Sequence, residues 1–281
     1  MHPQPLFQIK KLKLAVYPYG LLIGLGILAC LMVFFLYTKR KKMPEKVQDF
    51  TFFVAIGAIA IGFLFAKLYQ AFYEWLETGI FDFYSAGLTA MGGFIGGAGA
   101  FLLIYFGVGR FVFKGEEQGL HVKEFNKTLG VAPICITIAH AFGRLGCLMA
   151  GCCHGAKVGN EYVFGTVKRF RYSASLDKVT FVGYYVPVQL YEALFLFALF
   201  GVLTYLYFNR CNIIMSIYLI AYGTWRLIIE FFRTDSRGAI ILGLAPSQWQ
   251  SFVFIAGGIA LIIFYYLRKI PLFFPKENKE E

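Results

Sequence analysis

Charge is scarce in this chain. Asp, Glu, Lys and Arg make up 15% of its 281 residues, against 58% apolar and 19% aromatic residues. Soluble domains carry about 25% charged and 45–50% apolar residues. The scarcity excludes intrinsic disorder, which needs a polar, weakly hydrophobic chain, and it argues against a water-soluble globule. Acidic residues are scarcer still, 16 against 27 lysines and arginines, for a net charge of +11. In so apolar a chain this imbalance implies basic loops facing anionic lipid rather than nucleic acid. A disulfide framework is missing too: Cys30, Cys135, Cys147, Cys152, Cys153 and Cys211 lie mostly in apolar stretches. The glycine run Gly92, Gly93, Gly96, Gly97 and Gly99 lacks the lysine and the helix context of a nucleotide-binding loop. Lys10, Lys11 and Lys13 precede an apolar run too long for a signal-peptide core, and no clear cleavage site follows, so no cleavable leader is expected.

What is present is a series of long apolar runs. A stretch of 18 or more apolar residues crosses about 30 Å of hydrocarbon as a helix, and lipid tolerates no open strand edge. The sequence predicts seven spans, near Leu14–Thr38, Phe50–Tyr73, Ala86–Val108, Leu129–Cys153, Val186–Phe208, Ile213–Phe232 and Gln248–Leu267. The expected fold is an all-α polytopic membrane protein forming a single transmembrane domain over residues 1–281. Glycines of the third span allow close helix approach. Tyr17, Tyr19, Tyr105, Tyr265 and Tyr266 read as anchors at the membrane interface.

Short loops set the orientation. Lys39, Arg40, Lys41, Lys42 and Lys46 follow the first span, and Arg110, Lys114, Lys123 and Lys127 follow the third; both loops read as cytoplasmic. Glu74, Glu77 and Asp82 mark an external loop, and the tail carries Arg268, Lys269, Lys276 and Lys279. The N-terminus is then outside and the C-terminus inside. Residues 154–185 break the pattern: this external basic loop holds Lys157, Lys168, Arg169, Arg171 and Lys178. Either a longer external segment tolerates positive charge, or it forms a basic surface toward lipid headgroups.

Ionisable residues inside spans carry the strongest functional signal, because a central arginine costs about 2.5–3.5 kcal/mol without a partner or a wet cavity. Arg144 lies in the fourth span, Glu192 near the start of the fifth after Gln189 and Tyr191, and Arg226, Glu230 and Arg233 in the sixth. The last three share a helical face with Tyr222, one turn earlier. Arg144, Arg226 and Arg233 give +3, and Glu192 and Glu230 give −2, so one positive charge is left over. A phosphodiester would neutralise it, and guanidinium is well shaped to grip phosphate oxygens. The competing reading is a set of internal ion pairs that only lock helices together.

Cys147, Cys152, Cys153 and His154 have zinc-ligand chemistry. Their Cys-x4-Cys spacing is unusual for zinc, and adjacent cysteines often serve as small hydrophobes; no metal is expected. A cysteine nucleophile has no base fixed by the sequence. His140, one turn before Arg144, and His154, just past the span, are candidate bases near neutral pH. His121 falls in a loop read as cytoplasmic and is expected to be solvated.

At these residues the chain resembles the prolipoprotein diacylglyceryl transferases. His2-Pro3 followed by Tyr19-Gly20-Leu21-Leu22 is similar to the family's N-terminal pattern. Gly143-Arg144-Leu145-Gly146-Cys147-Leu148-Met149-Ala150-Gly151-Cys152-Cys153-His154-Gly155 resembles its signature, and Pro187-Val188-Gln189-Leu190-Tyr191-Glu192 resembles a second segment. Tyr222-Gly223, Arg226, Glu230-Phe231 and Arg233 resemble its sixth-span motif, and Ser247-Gln248-Trp249-Gln250-Ser251 the start of its last helix. The likeness covers nearly the whole chain.

The resemblance implies a transferase that moves the diacylglyceryl group of phosphatidylglycerol onto the lipobox cysteine of a prolipoprotein signal peptide. A thioether forms and glycerol phosphate leaves. The reaction would occur at the outer face of the bacterial inner membrane, before signal-peptide cleavage, without a cofactor. Arg144 and Arg226 would bind the phosphate, with Arg233 as a third candidate. Glu230 would orient an arginine, Glu192 and Tyr222 would complete the lipid site, and Tyr19 and Gln189 would hydrogen-bond the headgroup. The chain departs from the family where Met91 stands in place of a histidine common before the paired glycines, where Cys147 replaces an asparagine, and where Val186 replaces a histidine. The base is then His140, His154 or the phosphate itself. The rival classes are an anion transporter or channel, whose path would also be lined with arginine, and a noncatalytic phospholipid-binding membrane protein.

Overall fold

The computed structural model describes residues 1–9, 14–85, 87, 89–173, 178–233 and 246–273. Lys10, Lys11, Lys13, Ala86, Lys276 and Lys279 lie outside the described residues. A short hairpin, β1 (Phe7–Ile9) and β2 (Leu14–Val16), precedes helices α1 (Pro18–Arg40), α2 (Glu45–Thr78) and α3 (Ala90–Val112). A one-turn helix, α4 (Leu120–Lys123), leads into α5 (Phe125–Ala150). Strands β3 (Lys157–Gly159), β4 (Val167–Ser173) and β5 (Lys178–Tyr185) follow, then α6 (Val188–Phe208), α7 (Ile214–Glu230) and α8 (Pro246–Leu267).

Six of these helices (α1, α2, α3, α5, α6 and α8) are long and apolar enough to cross a membrane. The remaining predicted span, the sixth, corresponds to α7, whose 17 residues carry Arg226 and Glu230. At 1.5 Å per residue it rises about 25 Å, the lower limit for a span. On α1, Leu21, Leu25, Ile27, Leu28 and Met32 are all exposed. A helix that leaves so many large apolar side chains outward needs lipid as its solvent. The chain is a multi-pass membrane protein.

The described residues fall into two compact units. One comprises Tyr37–Leu129 with Gly238–Gln250, the other Met1–Leu36, Gly130–Arg237 and Ser251–Glu281. In the first unit α2 and α3 pack closely because glycine removes the side chain at the contact. A Cβ on Gly96 would stand 2.2 Å from the Phe65 Cβ, and one on Gly92 2.6 Å from that of Tyr69. Gly99, by contrast, faces open space.

His121 corrects the expectation of a solvated loop residue. It is 2% exposed, with its ring stacked on Phe113 at 5.1 Å and set edge-on to Tyr105 at 5.8 Å. Tyr105 is itself fully buried and donates its hydroxyl to the His121 carbonyl at 2.8 Å, so it is no interfacial anchor. Tyr265 is buried too, whereas Tyr17, Tyr19 and Tyr266 are exposed. Burial, and secondarily Arg110, hold the His121 imidazole below its usual pKa. Met43, Val47 and Phe113 form a small core beside it, with Phe50 and Leu120 against them.

In the second unit the residues expected as a plain basic loop, 154–185, build an antiparallel three-stranded sheet in the order β3-β5-β4. The run Val179-Thr180-Phe181-Val182 is β-branched and aromatic, which suits a pleated surface. Part of the positive charge is structural: the Arg169 guanidinium lies 5.2 Å from the Tyr185 ring centre, and its Nε donates to the Gly151 carbonyl at 3.0 Å. Lys157, Lys168, Arg171 and Lys178 remain exposed. The start of the segment is fastened to its end ahead of α6 through Gly155, whose N–H donates to the Val186 carbonyl at 2.9 Å. A Cβ there would stand 2.6 Å from the Phe232 carbonyl oxygen, so the close approach requires glycine.

Candidate active site

Three helices of this unit bring ionisable side chains together. On α5, His140 and Arg144 are four residues apart and face the same way; Arg144 Nε donates to His140 Nε2 at 3.2 Å. On α6, Glu192 is fully buried. Its Oε2 lies 3.0 Å from Arg144 Nε, and its Oε1 lies 3.8 Å from His140 Nε2. On α7, Tyr222 donates its hydroxyl to Glu192 Oε1 at 3.1 Å. The His140 and Tyr222 rings meet edge to face at 5.2 Å.

The α7 stripe continues at helical spacing. Arg226 Nη1 stands 3.2 Å from Glu230 Oε2, one turn on, and Arg226 is 6% exposed. Tyr218, one turn before Tyr222, is also buried and stacks on it with rings 6.0 Å apart and 3° from parallel. Tyr218 went unnoticed in the sequence, although its spacing of four from Tyr222 was a usable signal. Phe195 and Trp225 stack at 4.4 Å and hold α6 against α7. Arg233 is buried just beyond the end of α7. The cluster is a low-dielectric environment in which every charge needs a partner. Glu192 offsets the charge of Arg144, and Glu230 that of Arg226.

Other predicted residues take different places. Gln189 is fully buried and donates Nε2 to the Cys152 carbonyl, while its Oε1 has no hydrogen-bond partner among the described residues. Tyr19 lines an apolar cavity of about 460 Å³ with His2, Pro3, Tyr17, Leu21 and Ala150. The missing side chain of Gly146 lets the Tyr19 ring approach α5. His154 is held by the Gly155 carbonyl at 2.9 Å and by the Tyr185 ring at 4.4 Å. The cysteines converge more than their spacing suggested: Sγ of Cys147, Cys152 and Cys153 lie within 4.8 Å of one another, and His154 is not in that group.

Fold and site together define a multi-pass helical membrane protein with a buried arginine–carboxylate centre. The family model described as prolipoprotein diacylglyceryl transferase matches residues 4–264. The chain belongs to this family. It is 31% identical over 256 residues to phosphatidylglycerol–prolipoprotein diacylglyceryl transferase 2 of Clostridium perfringens, covering 88% of this chain and 90% of that one. It is also 31% identical over 280 residues to the phosphatidylglycerol–prolipoprotein diacylglyceryl transferase of Streptococcus pneumoniae strain ATCC 700669, covering 95% and 96%.

Proposed function

We propose that this chain transfers the diacylglyceryl group of phosphatidylglycerol to the lipobox cysteine of a prolipoprotein, and that the Arg144–Glu192–Tyr222 centre with Arg226 is where it does so. The transferase activity follows from family membership; the observation that carries the site assignment is the convergence of these side chains from α5, α6 and α7.

In the reaction, the acceptor thiol loses its proton and attacks the glyceryl carbon bonded to the phosphate oxygen. The C–S bond forms as the C–O bond breaks, and glycerol phosphate departs with the bonding electrons. Negative charge grows on the departing oxygen, and a preorganised guanidinium aimed there stabilises the transition state. Arg144 and Arg226 are assigned to the phosphate, with Arg233 as a third candidate. Glu192 and Glu230 fix the guanidiniums. The orphan Gln189 Oε1 is an acceptor for a headgroup hydroxyl, since a buried unpaired acceptor costs about 1–3 kcal/mol. His140 stands at the centre as the nearer of the two candidate bases, with the leaving phosphate as an alternative acceptor of the proton. His154, turned to Gly155 and Tyr185, is the second.

The proposed orientation has the N-terminus outside and the C-terminus in the cytoplasm, across a bacterial inner membrane; the basic loops after the first and third spans support it. The test is to incubate membranes carrying the chain with a lipobox peptide and phosphatidylglycerol labelled in its acyl chains. Label on the peptide cysteine with release of glycerol phosphate is expected. Correctly inserted protein that leaves the peptide unlabelled would refute the activity.

A further inference from the structure

The three-thiol cluster plays no part in the transfer scheme above. Its geometry arises at the end of α5. The helix stops after Ala150, Gly151 takes φ 74° and Cys153 φ 58°, and the N–H groups of Gly151 and Cys152 both turn back to the Cys147 carbonyl at 3.0 and 3.2 Å. That reversal folds Cys152 and Cys153 over Cys147, which spacing along the chain would not suggest. The three Sγ atoms end within 4.8 Å of one another. Sulfur ligands about 2.3 Å from a tetrahedral zinc stand about 3.8 Å apart, so small side-chain rotations close the cluster on an ion. The donor set is sulfur only, which selects soft cations over Mg2+ or Ca2+. Gly151 is held in place from the sheet by Arg169, whose Nε donates to its carbonyl at 3.0 Å. Cys152 is exposed and gives an entry path from outside.

We propose that Cys147, Cys152 and Cys153 form a binding site for one thiophilic cation of the Zn2+ class, with three sulfur ligands and the fourth position left to water. The site does not depend on the transfer reaction and is tested without it. The full chain, purified in detergent under reducing conditions and stripped with a chelator, is titrated with Cd2+ as a spectroscopic probe and then with Zn2+ in competition. The expected result is one equivalent of Cd2+ per chain, with thiolate-to-metal charge-transfer absorption that Zn2+ abolishes. Cys152→Ser and Cys153→Ser should each weaken binding by more than about 100-fold, since the loss of even a supporting contact to a metal ligand costs 10–100-fold. Cys211→Ser, a cysteine outside the cluster, should leave it unchanged. Cys152 is exposed, so its variant keeps the fold even if Cys147→Ser does not. Absence of a stoichiometric Cd2+ equivalent would overturn the site, as would equal loss of binding in Cys211→Ser. A disulfide among the three sulfurs in protein isolated without reductant would overturn it as well.

Discussion

Arg144 of α5 and Glu192 of α6 form a buried ion pair, Nε to Oε2 at 3.0 Å, with Tyr222 of α7 bonded to the other carboxylate oxygen at 3.1 Å. One carboxylate therefore ties three helices at a single point. Breaking a buried pair by removing one partner costs about 3–5 kcal/mol, because the other charge is left uncompensated. Glu192→Ala should lower thermal stability in detergent by an amount of that order and abolish transfer. Glu192→Gln keeps the Tyr222 contact and should lose less stability while still losing most activity.

Arg226 is held by Glu230 at the next turn of α7. Removing one transition-state donor costs about 2.7–4 kcal/mol, a rate loss of about 100- to 1,000-fold. Arg226→Ala should show that loss in kcat with the fold intact by size-exclusion profile. Arg226→Lys keeps the charge but not the planar fork and should recover only part of the rate. Full activity in both variants would remove Arg226 from the site.

Gln189 presents a buried acceptor without a partner among the described residues. If it receives a headgroup hydroxyl, Gln189→Leu should raise KM for phosphatidylglycerol about 10-fold, the worth of about one hydrogen bond, with a smaller effect on kcat. An unchanged KM would assign Gln189 to the Cys152 contact alone.

The α2–α3 contact makes a structural prediction. With a Cβ on Gly96 only 2.2 Å from that of Phe65, Gly96→Ala should destabilise the protein by about 1–3 kcal/mol through overpacking. Gly99→Ala, which meets nothing within 4 Å, should be close to neutral. Paired melting curves in detergent would separate the two.

His121 predicts a pH dependence. Its folded pKa is depressed by burial, so the neutral ring is the folded form. The unfolded chain, with a pKa near the ordinary ~6.5, binds the proton more readily. The stabilisation is therefore complete above about pH 6.5 and lost as pH falls from there toward the lowered folded value. His121→Phe, which keeps the stack on Phe113, should flatten stability against pH in that window. A wild-type melting temperature that is level from pH 7 to pH 5 would contradict this.

The helices were legible because lipid demands long apolar runs, and the i,i+4 pairs His140–Arg144 and Arg226–Glu230 follow from helical spacing on one chain segment. The Arg144–Glu192 contact joins two helices, and spacing says nothing about such a pair. The sheet at 157–185 was hidden by its lysines and arginines, since alternation was diluted by charge and by the bulge near Arg169 and Phe170. His121 lies in a basic segment that reads as a cytoplasmic loop, while its neighbours in space, Phe113 and Tyr105, come from the residue just past the end of α3 and from α3 itself. The thiol cluster depends on two positive φ angles, at Gly151 and Cys153, which no residue pattern announces.

The most direct test is an experimental structure of the full chain in lipid nanodiscs containing phosphatidylglycerol. The account predicts the headgroup phosphate within about 2.7–2.9 Å of guanidinium nitrogens of both Arg144 and Arg226, with the acyl chains running out toward lipid. A phosphate bound elsewhere, with both arginines engaged only by Glu192 and Glu230, would contradict it.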